Sequence, residues 1–557
     1  MQIVECVPNF SEGKDQVIIQ AIADAISSTE GVKLLNVDPG ADTNRTVVTF
    51  IGEPAPVAEA AFRAIKKAAE LIDMRKHSGA HPRLGATDVC PFIPVANMTM
   101  DECVALAGQV GQRVAKELDI PIYLYEFAAT RPERKNLADI RQGEYEGLAQ
   151  KLQDPEWAPD FDKAVFNAKS GATVIGARKF LIAYNVNLNT KDRRLAQEVA
   201  LNIRESGRSK RDEHGEIVRD AEGKAIKVPG LLNACKAVGW YIEEYQFAQV
   251  SINLTDFEET PVHIAFETVV EEAQKLGLRV TGSELVGLIP LTAILDAGKF
   301  YLQRQGKSIG QPESEIIRMA VQSMGLNQIS RFDPLERIIE YHIDPPVKPL
   351  VGKTVSGFVD ELSTDSPAPG GGSVAALCGA LAGALGSMVA NLTVGRKGHE
   401  QHTERLSHAA AALQQYKKQL LNFVDQDTDA FNALMSAMRL PKKSPEQQQA
   451  RNDAMERATQ NAIRIPLEVS RTAWHCLEQI SGIVEIVNPN AISDLGVACY
   501  CAETAAQGAS LNVRINLKSV QDEVFRKATL ADLNNILLNV ARLKKTALEN
   551  VARILNA

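Results

Sequence analysis

VKLLNVDPGADTNRTVVTFIGEPAPVAEAAFRAIKKAAELI, residues 32–72, reads as strand, strand, helix. Residues 32–37 and 46–51 are strand-length runs rich in β-branched and apolar side chains, whereas 57–72 repeats its apolar residues at helical spacing. Outward from this block, residues 3–7 add a strand and 17–26 a helix before it. After it come an extended run at 87–95, a helix at 101–118 announced by the capping box Thr99-Met-Asp-Glu102, and a strand at 121–125. A similar order restarts at 179–187, with a helix at 195–206, strands around 241–252, a helix at 263–276 and a strand near 285–289. The N-terminal half therefore reads as α+β, made of two βαββαβ-like α/β subdomains, although no sequence repeat accompanies the shared order of elements. Residues 206–228 are charged, glycine-punctuated and poor in apolar side chains, which predicts a solvent-exposed hairpin without chemistry.

Around 337–349 (RIIEYHIDPPVKP) the pattern becomes a Pro-rich extended connector. From 358 to 555 the chain is Ala/Leu/Gln-rich, with breaks at Pro441, Pro466 and Pro489, the pattern of an all-α antiparallel helix bundle. The implied domains are 1–178, 179–327, a linker at 328–350, and a helical domain at 351–557.

At 557 residues the chain exceeds a single core, and a formal charge of -8 gives no basic footprint for nucleic acid. Eight scattered cysteines without paired CxxC knuckles read as reduced thiols in a cytosolic protein. No signal or transit peptide is evident at MQIVECVPNF. The uncharged run 374–394 has the length of a membrane span, but its Ala and Gly content predicts a buried bundle helix and no membrane span.

Three segments carry candidate chemistry. The first is His77-Ser-Gly-Ala-His81-Pro-Arg-Leu-Gly-Ala-Thr-Asp88, leading into a strand. Gly79 and Pro82 argue against the helix on which histidines at i and i+4 would share a metal, so no metal is expected. A loop histidine before a strand suits a general base, with a loop tether as the alternative. In the second, Gly370, Gly371, Gly372 and Ser373 open a helix whose free N–H groups could meet an anion; the alternative is that these glycines only permit close helix contact. In the third, Asp427 falls on the apolar stripe Leu413, Tyr416, Leu420, Val424, Phe431, with Asp425 and Asp429 pointing away. A carboxylate there is either functional or a satisfied buried group.

The segments Glu5-Cys-Val-Pro-Asn9-Phe-Ser-Glu-Gly13, Asp38 through Asn44-Arg45-Thr46, His77 to Arg83 and Asp88-Val-Cys-Pro-Phe-Ile-Pro94 resemble the formiminotransferase pattern in order and spacing. Pro-Gly-Gly-Gly-Ser373, Gly395-Arg396, Asp425-Gln-Asp427 and Pro441-Lys442 are similar to the cyclodeaminase family, and the resemblance covers nearly the whole chain except 206–228. It implies a bifunctional folate enzyme of histidine degradation with tetrahydrofolate, polyglutamylated, as co-substrate. A formimino group would pass from N-formimino-L-glutamate to tetrahydrofolate, and the 5-formimino product would then close to 5,10-methenyltetrahydrofolate with loss of ammonia. One half alone, a transferase or a methenyltetrahydrofolate cyclohydrolase-like helical domain, is the alternative. By the same resemblance His81 is the catalytic base, suited by an imidazole pKa near 6.5. Asp38, Arg45 and Asn9 line the substrate pocket: Arg45 would pair with a carboxylate and Asp38 orient His81 or hold an amine, or the two form a plain salt bridge.

The family's folate-contacting stretch falls on Asp162, Lys163, Ala164, Val165, Phe166, Asn167, Ala168, Lys169, Ser170 and Gly171, where Phe166 and Gly171 fit best. In the helical domain Asp427 is implied as acid/base, with Gly370, Gly371, Gly372, Ser373, Arg396, Ser493 and Asp494 as folate candidates. Solvated charge is the alternative for Arg396 and a helix cap for Ser493. The family's active site lies at a dimer interface, which implies a homo-oligomer built on dimers.

Overall fold

The computed structural model describes residues 2–41, 43–79, 81–161, 165–220, 223–343, 350–520 and 522–557. The first subdomain runs β1 (Ile3–Cys6), β2 (Asn9–Phe10), α1 (Gln16–Ser27), β3 (Val32–Gly40), β4 (Arg45–Gly52), α2 (Pro54–Leu71), β5 (Thr87–Ala96), α3 (Met100–Leu118), β6 (Ile122–Glu126), α4 (Leu137–Ile140), α5 (Glu144–Lys151) and β7 (Thr173–Ala177). Each strand and helix expected before residue 127 is present, and Thr99 and Glu102 form the reciprocal cap that starts α3. Across the sheet the order is β3, β4, then β1 and β2 end to end, β5, β7, β6; β7 is parallel to both its neighbours.

Helices α1 to α3 cover one face of this sheet, burying Val4, Cys6, Phe50, Ile65, Phe92 and Val110 between them. Alternation then fixes what the other face carries. Val47 is the cross-strand partner of both Asn9 and Asp38, and Arg45 lies two residues along the same strand, so Asn9, Asp38 and Arg45 share the face turned away from the helices.

The second subdomain contains β8 (Ile182–Leu188), α6 (Arg193–Ile203), β9 (Arg208–Ser209), β10 (Lys227–Val228), β11 (Cys235–Ile242), β12 (Phe247–Leu254), α7 (Val262–Lys275) and β13 (Val280–Val286). Its sheet is antiparallel, β11-β12-β8-β13, with Tyr184, Val186, Val250 and Ile252 buried in its core. The insertion at 206–228 is a mostly exposed hairpin of β9 and β10, as its composition predicts. The last strand lies earlier than expected, at Val280–Val286 rather than 285–289, because a register shift between Val280 and Gly282 interrupts its alternation.

Further on are α8 (Leu291–Arg304), α9 (Glu313–Met324), the short α10 (Pro334–Arg337) and α11 (Ile339–Ile343), then α12 (Val355–Leu362), α13 (Gly371–Thr393), α14 (Thr403–Met438), α15 (Pro445–Ile483), α16 (Ile492–Leu517) and α17 (Glu523–Leu555). Residues 339–343 are helical where an extended connector was expected, since the prolines begin only at 345; residues 344–349 lie outside the description. The chain divides into two compact units, 1–290 with 336–342 and 291–335 with 343–557. By this division α8 and α9 lie in the same compact unit as α12 to α17. The turn between them is held there: Gly310 O accepts from Ser387 Oγ at 3.1 Å and Asn391 Nδ2 at 2.6 Å, and Ile309 N donates to Ser407 Oγ at 3.1 Å.

In the bundle α13 packs against α14 and α16. Cβ atoms built on Gly379 and Gly386 would meet Leu420 and Leu413 at 2.9 and 3.0 Å, so small residues set the close approach. Pro466 does not break a helix, contrary to expectation, and lies buried inside α15. Proline at 466 cannot donate to the carbonyl of Ala462, and the side chain of Asn516 on α16 donates to that oxygen instead, at 3.0 Å. Asn516→Ala is therefore expected to destabilise the helical unit by about 1–3 kcal/mol in a denaturant titration. An unchanged midpoint would show that the freed carbonyl needs no partner.

Candidate active sites in the two units

In the first unit the turn 77–83 is pinned before β5. Asn44 donates to Ser78 O at 2.9 Å and accepts from Gly13 N at 3.0 Å. Arg83 pairs with Glu144 and Glu146 and donates to His77 Nδ1 at 3.3 Å, which leaves His77 Nε2 to donate to Asn44 O at 2.9 Å. His77 is thus a loop tether, and its ring and that of His81 are held by different groups.

His81 sits against the sheet face that carries Arg45. Arg45 NH1 lies 2.8 Å from His81 Nε2 and 3.0 Å from Asn9 Oδ1. Arginine has no acceptor, so Nε2 must accept, and the neutral ring carries its hydrogen on Nδ1. Among the described residues, the buried atoms His81 Nδ1 and Arg45 Nε have no hydrogen-bond partners. Burial lowers the His81 pKa to about 4, and the charges of Arg45 and Arg141 add to the effect while Asp88 opposes it. This corrects the expectation of an imidazole near 6.5: the ring is neutral at cellular pH but a weaker base. Asp38 is exposed and does not hold His81; its role toward that ring passes to Arg45. Fully buried Asp88 pairs with Arg141 and accepts from Leu84 N at 2.9 Å. Sequence reasoning missed Arg141, which lies 53 residues from Asp88 and outside any motif.

Of the expected folate stretch, Asp162, Lys163 and Ala164 lie outside the described residues. Val165 is exposed, and Phe166 packs on Tyr145 with ring centroids 5.8 Å apart. Asn167 Oδ1 accepts from Ser170 N at 3.0 Å, Ala168 O accepts from Tyr145 Oη at 2.6 Å, and Lys169 Nζ reaches Glu70 O at 2.7 Å. Ser170 O accepts from Ala86 N at 2.8 Å. Gly171 has φ of 68°, and a Cβ there would lie 2.2 Å from Leu84 O, so only glycine fits. The stretch is thereby held beside residues 84–86, shortly after His81.

In the second unit Asp427 on α14 meets the first turn of α13. Ser373 Oγ is 3.2 Å from Asp427 Oδ2, 2.9 Å from Val424 O and 3.3 Å from Thr428 Oγ1. A Cβ on Gly372 would lie 2.2 Å from Asp427 Oδ1 and force the carboxyl to move, whereas on Gly370 and Gly371 it would make ordinary contacts, at 3.8 Å from Pro367 O and 3.9 Å from Asn512 Nδ2. Burial raises the Asp427 pKa above the ordinary carboxylate value, and hydrogen bonds from Ser373 pull part of the way back. Asp425, off the stripe, is nonetheless buried, accepting from Leu350 N at 2.8 Å, because Leu350 covers a second side of α14.

The remaining candidates fall elsewhere. Gly371 approaches Asn512 and Gly508 approaches Ala375, so α16 runs antiparallel to α13 and its first residues, exposed Ser493 and half-buried Asp494, lie at the far end. Ser493 is not a cap; Asn488 caps the preceding turn. Exposed Arg396 is also at that end, about 34 Å along a 23-residue helix from Gly371.

Comparison with known proteins gives the setting of these sites. Residues 3–178 match the formiminotransferase domain's N-terminal subdomain, 183–344 the formiminotransferase domain, and 354–535 formiminotransferase-cyclodeaminase. The chain is 46% identical over 539 residues to the formimidoyltransferase-cyclodeaminase of Rattus norvegicus, covering 96% of each. It is 43% identical over 302 residues to the glutamate formimidoyltransferase of Streptococcus pyogenes serotype M1, covering 54% of this chain and 94% of that one. Its match to the methenyltetrahydrofolate cyclohydrolase of Methylorubrum extorquens is 33% identical over 204 residues, 37% of this chain and 98% of that one. With 46% identity over 96% of both chains, the chain belongs to the formimidoyltransferase-cyclodeaminase family.

Proposed function

We propose that the chain is a bifunctional folate enzyme of histidine degradation, with a transferase half reaching to residue 327, a connector at 328–350 and a cyclodeaminase at 351–557. The observation that carries the reading is one proton-transfer group in each unit: the half-buried, neutral imidazole of His81 and the half-buried carboxyl of Asp427 with its raised pKa. In the first step nitrogen-5 of tetrahydrofolate attacks the carbon of the N-formimino-L-glutamate amidinium. His81 takes the nitrogen-5 proton and returns it to the glutamate nitrogen as that C–N bond breaks, leaving the formimino group on nitrogen-5. Arg45 receives a substrate carboxylate, Asn9 holds Arg45, and Asp38 attracts a cationic nitrogen.

In the second step nitrogen-10 attacks the same amidinium carbon. Asp427 accepts the nitrogen-10 proton and delivers it to the formimino nitrogen, which departs as ammonia and leaves the 5,10-methenyl cation. Residues 162–171 contribute to the first folate site, and Gly370, Gly371 and Ser373 to the second. Because Arg396, Ser493 and Asp494 lie at the opposite end of α13 from Asp427, they join it only across an interface between copies. Exposed Leu381, Met388, Leu392, Val497 and Tyr500 on α13 and α16 favour such a homo-oligomer built on dimers. We take the protein to be cytoplasmic: α13, the one described helix long and apolar enough to cross a membrane, is 61% buried within the bundle.

The cyclohydrolase relative supports a second reading, in which the helical half hydrolyses the methenyl bridge. Purified protein mixed with formiminoglutamate and tetrahydrofolate separates the two. Methenyl absorbance appearing with stoichiometric ammonia is expected; glutamate release without either would leave the transferase alone, and hydrolysis of added methenyltetrahydrofolate without ammonia formation would favour the cyclohydrolase.

A further inference from the structure

Arg45 stands between His81 and its role as a base. A ring nitrogen that already accepts a hydrogen bond from a guanidinium has no lone pair free for a substrate proton, and the other nitrogen, Nδ1, carries a hydrogen. The contact is 2.8 Å, and the same NH1 also reaches Asn9 Oδ1 at 3.0 Å, so both NH1 hydrogens are engaged. The opposite edge of the guanidinium is unpaired at Nε: this atom is buried and, among the described residues, has no hydrogen-bond partner. A buried donor left unmatched is costly, and the Nε–NH2 edge of arginine is shaped for the two oxygens of a carboxylate.

We propose that Arg45 couples carboxylate binding to base activation: a substrate carboxylate pairing with its unpaired Nε edge takes up the guanidinium and draws it from His81 Nε2, freeing that lone pair for the proton of the attacking nitrogen. The inference rests on His81 as the base and adds that the base is unavailable until the formimino donor is bound. Electrostatics act in the same direction. Around His81 the charged groups are Arg45 on β4, Arg141 after α4 and Asp88 on β5, with Asp38 on β3 acting on Arg45 and His77 and Arg83 in the same turn. Asp88 is already committed to Arg141, so among these neighbours a change at Arg45 is the one that substrate can make. A carboxylate beside Arg45 offsets its charge and raises the proton affinity of the ring only when substrate is present. The free site, having no base, then cannot deprotonate tetrahydrofolate unproductively.

The test uses the full chain labelled with 15N-histidine and L-glutamate as the carboxylate probe, with His81 assigned by its absence in His81→Ala. In the free protein His81 is expected to show the Nδ1–H tautomer and to titrate near 4. Saturating glutamate is expected to raise that midpoint by about one pH unit or more. In Arg45→Ala, and in Arg45→Lys, which keeps a positive charge but lacks the fork, the midpoint is expected to be higher without glutamate and unmoved by it. A midpoint that stays low in both Arg45 variants overturns the proposal whether or not glutamate binds, and a wild-type midpoint indifferent to glutamate overturns the coupling. The kinetic counterpart is that the acid limb of kcat/KM, which reports free enzyme, lies below that of kcat, which reports the complex. Retained transfer in His81→Ala would remove the base assignment itself, separately from the coupling.

Discussion

Asp427→Asn is expected to lower cyclodeamination by about 10²–10⁴-fold, the usual contribution of a positioned acid/base, while formimino transfer continues at the unaltered rate. Asparagine keeps an oxygen for Ser373 Oγ at its 3.2 Å contact but cannot carry the proton from nitrogen-10 to the departing nitrogen. Stability distinguishes this loss from a folding defect. A carboxyl whose folded pKa is raised contributes stability that is present below its unfolded pKa and is lost as pH rises through the folded one, so at neutral pH the buried charge is unfavourable. The variant should therefore melt at or above the wild-type temperature at pH 7. The assays are ammonia release from 5-formiminotetrahydrofolate and glutamate release from formiminoglutamate; equal loss of both activities, with a lower melting temperature, would make Asp427 a folding residue instead.

His81→Ala should give the converse: transfer reduced by about 10²–10⁴-fold, with cyclodeamination of supplied 5-formiminotetrahydrofolate untouched. Alanine also releases Arg45 NH1 from its 2.8 Å contact, so the KM for formiminoglutamate should rise little while kcat falls. An acid-stability measurement adds a readout independent of turnover. The His81 pKa is lowered from 6.5 to about 4 on folding, so as pH falls through that window the unfolded chain binds a proton that the folded one does not, and stability declines. The variant should lose less stability than wild type between those values. Transfer that survives at wild-type rate would rule out His81 as the base.

Periodicity made the framework readable because most elements before residue 127 carry uninterrupted apolar patterns. β7 escaped because it is five residues long with Gly176 inside it, and β13 was placed too late because Gly282 sits where its register shifts. Pro466 misled for a different reason: the partner that tolerates it, Asn516, arrives from another helix. In the sites, the stripe reading brought attention to α14 but did not foresee the burial of Asp425 off the stripe, since a helix covered by Leu350 as well as by its bundle neighbours buries more than one side. The contacts that tune His81, from Arg45 and from the Asp88–Arg141 pair, depend on strand register and loop closure, which no local pattern encodes. The glycines of the Pro-Gly-Gly-Gly-Ser entry illustrate both limits: the motif was visible, but only the packing separates Gly372, which Asp427 crowds, from its two neighbours.

The position of α13 in the chain has a bearing on biosynthesis. This helix of small apolar residues is complete at Thr393, yet α16, which covers one of its sides, begins at Ile492, 99 residues later. At a ribosomal rate of roughly 5–20 residues per second, that side stays bare for about 5–20 s on each nascent chain. During this interval α14 and α15 are emerging and a membrane-length apolar surface is available to other nascent chains, to chaperones or to a lipid surface. Translation speed across residues 394–491 thus sets how long the protein is vulnerable before its second catalytic unit can close.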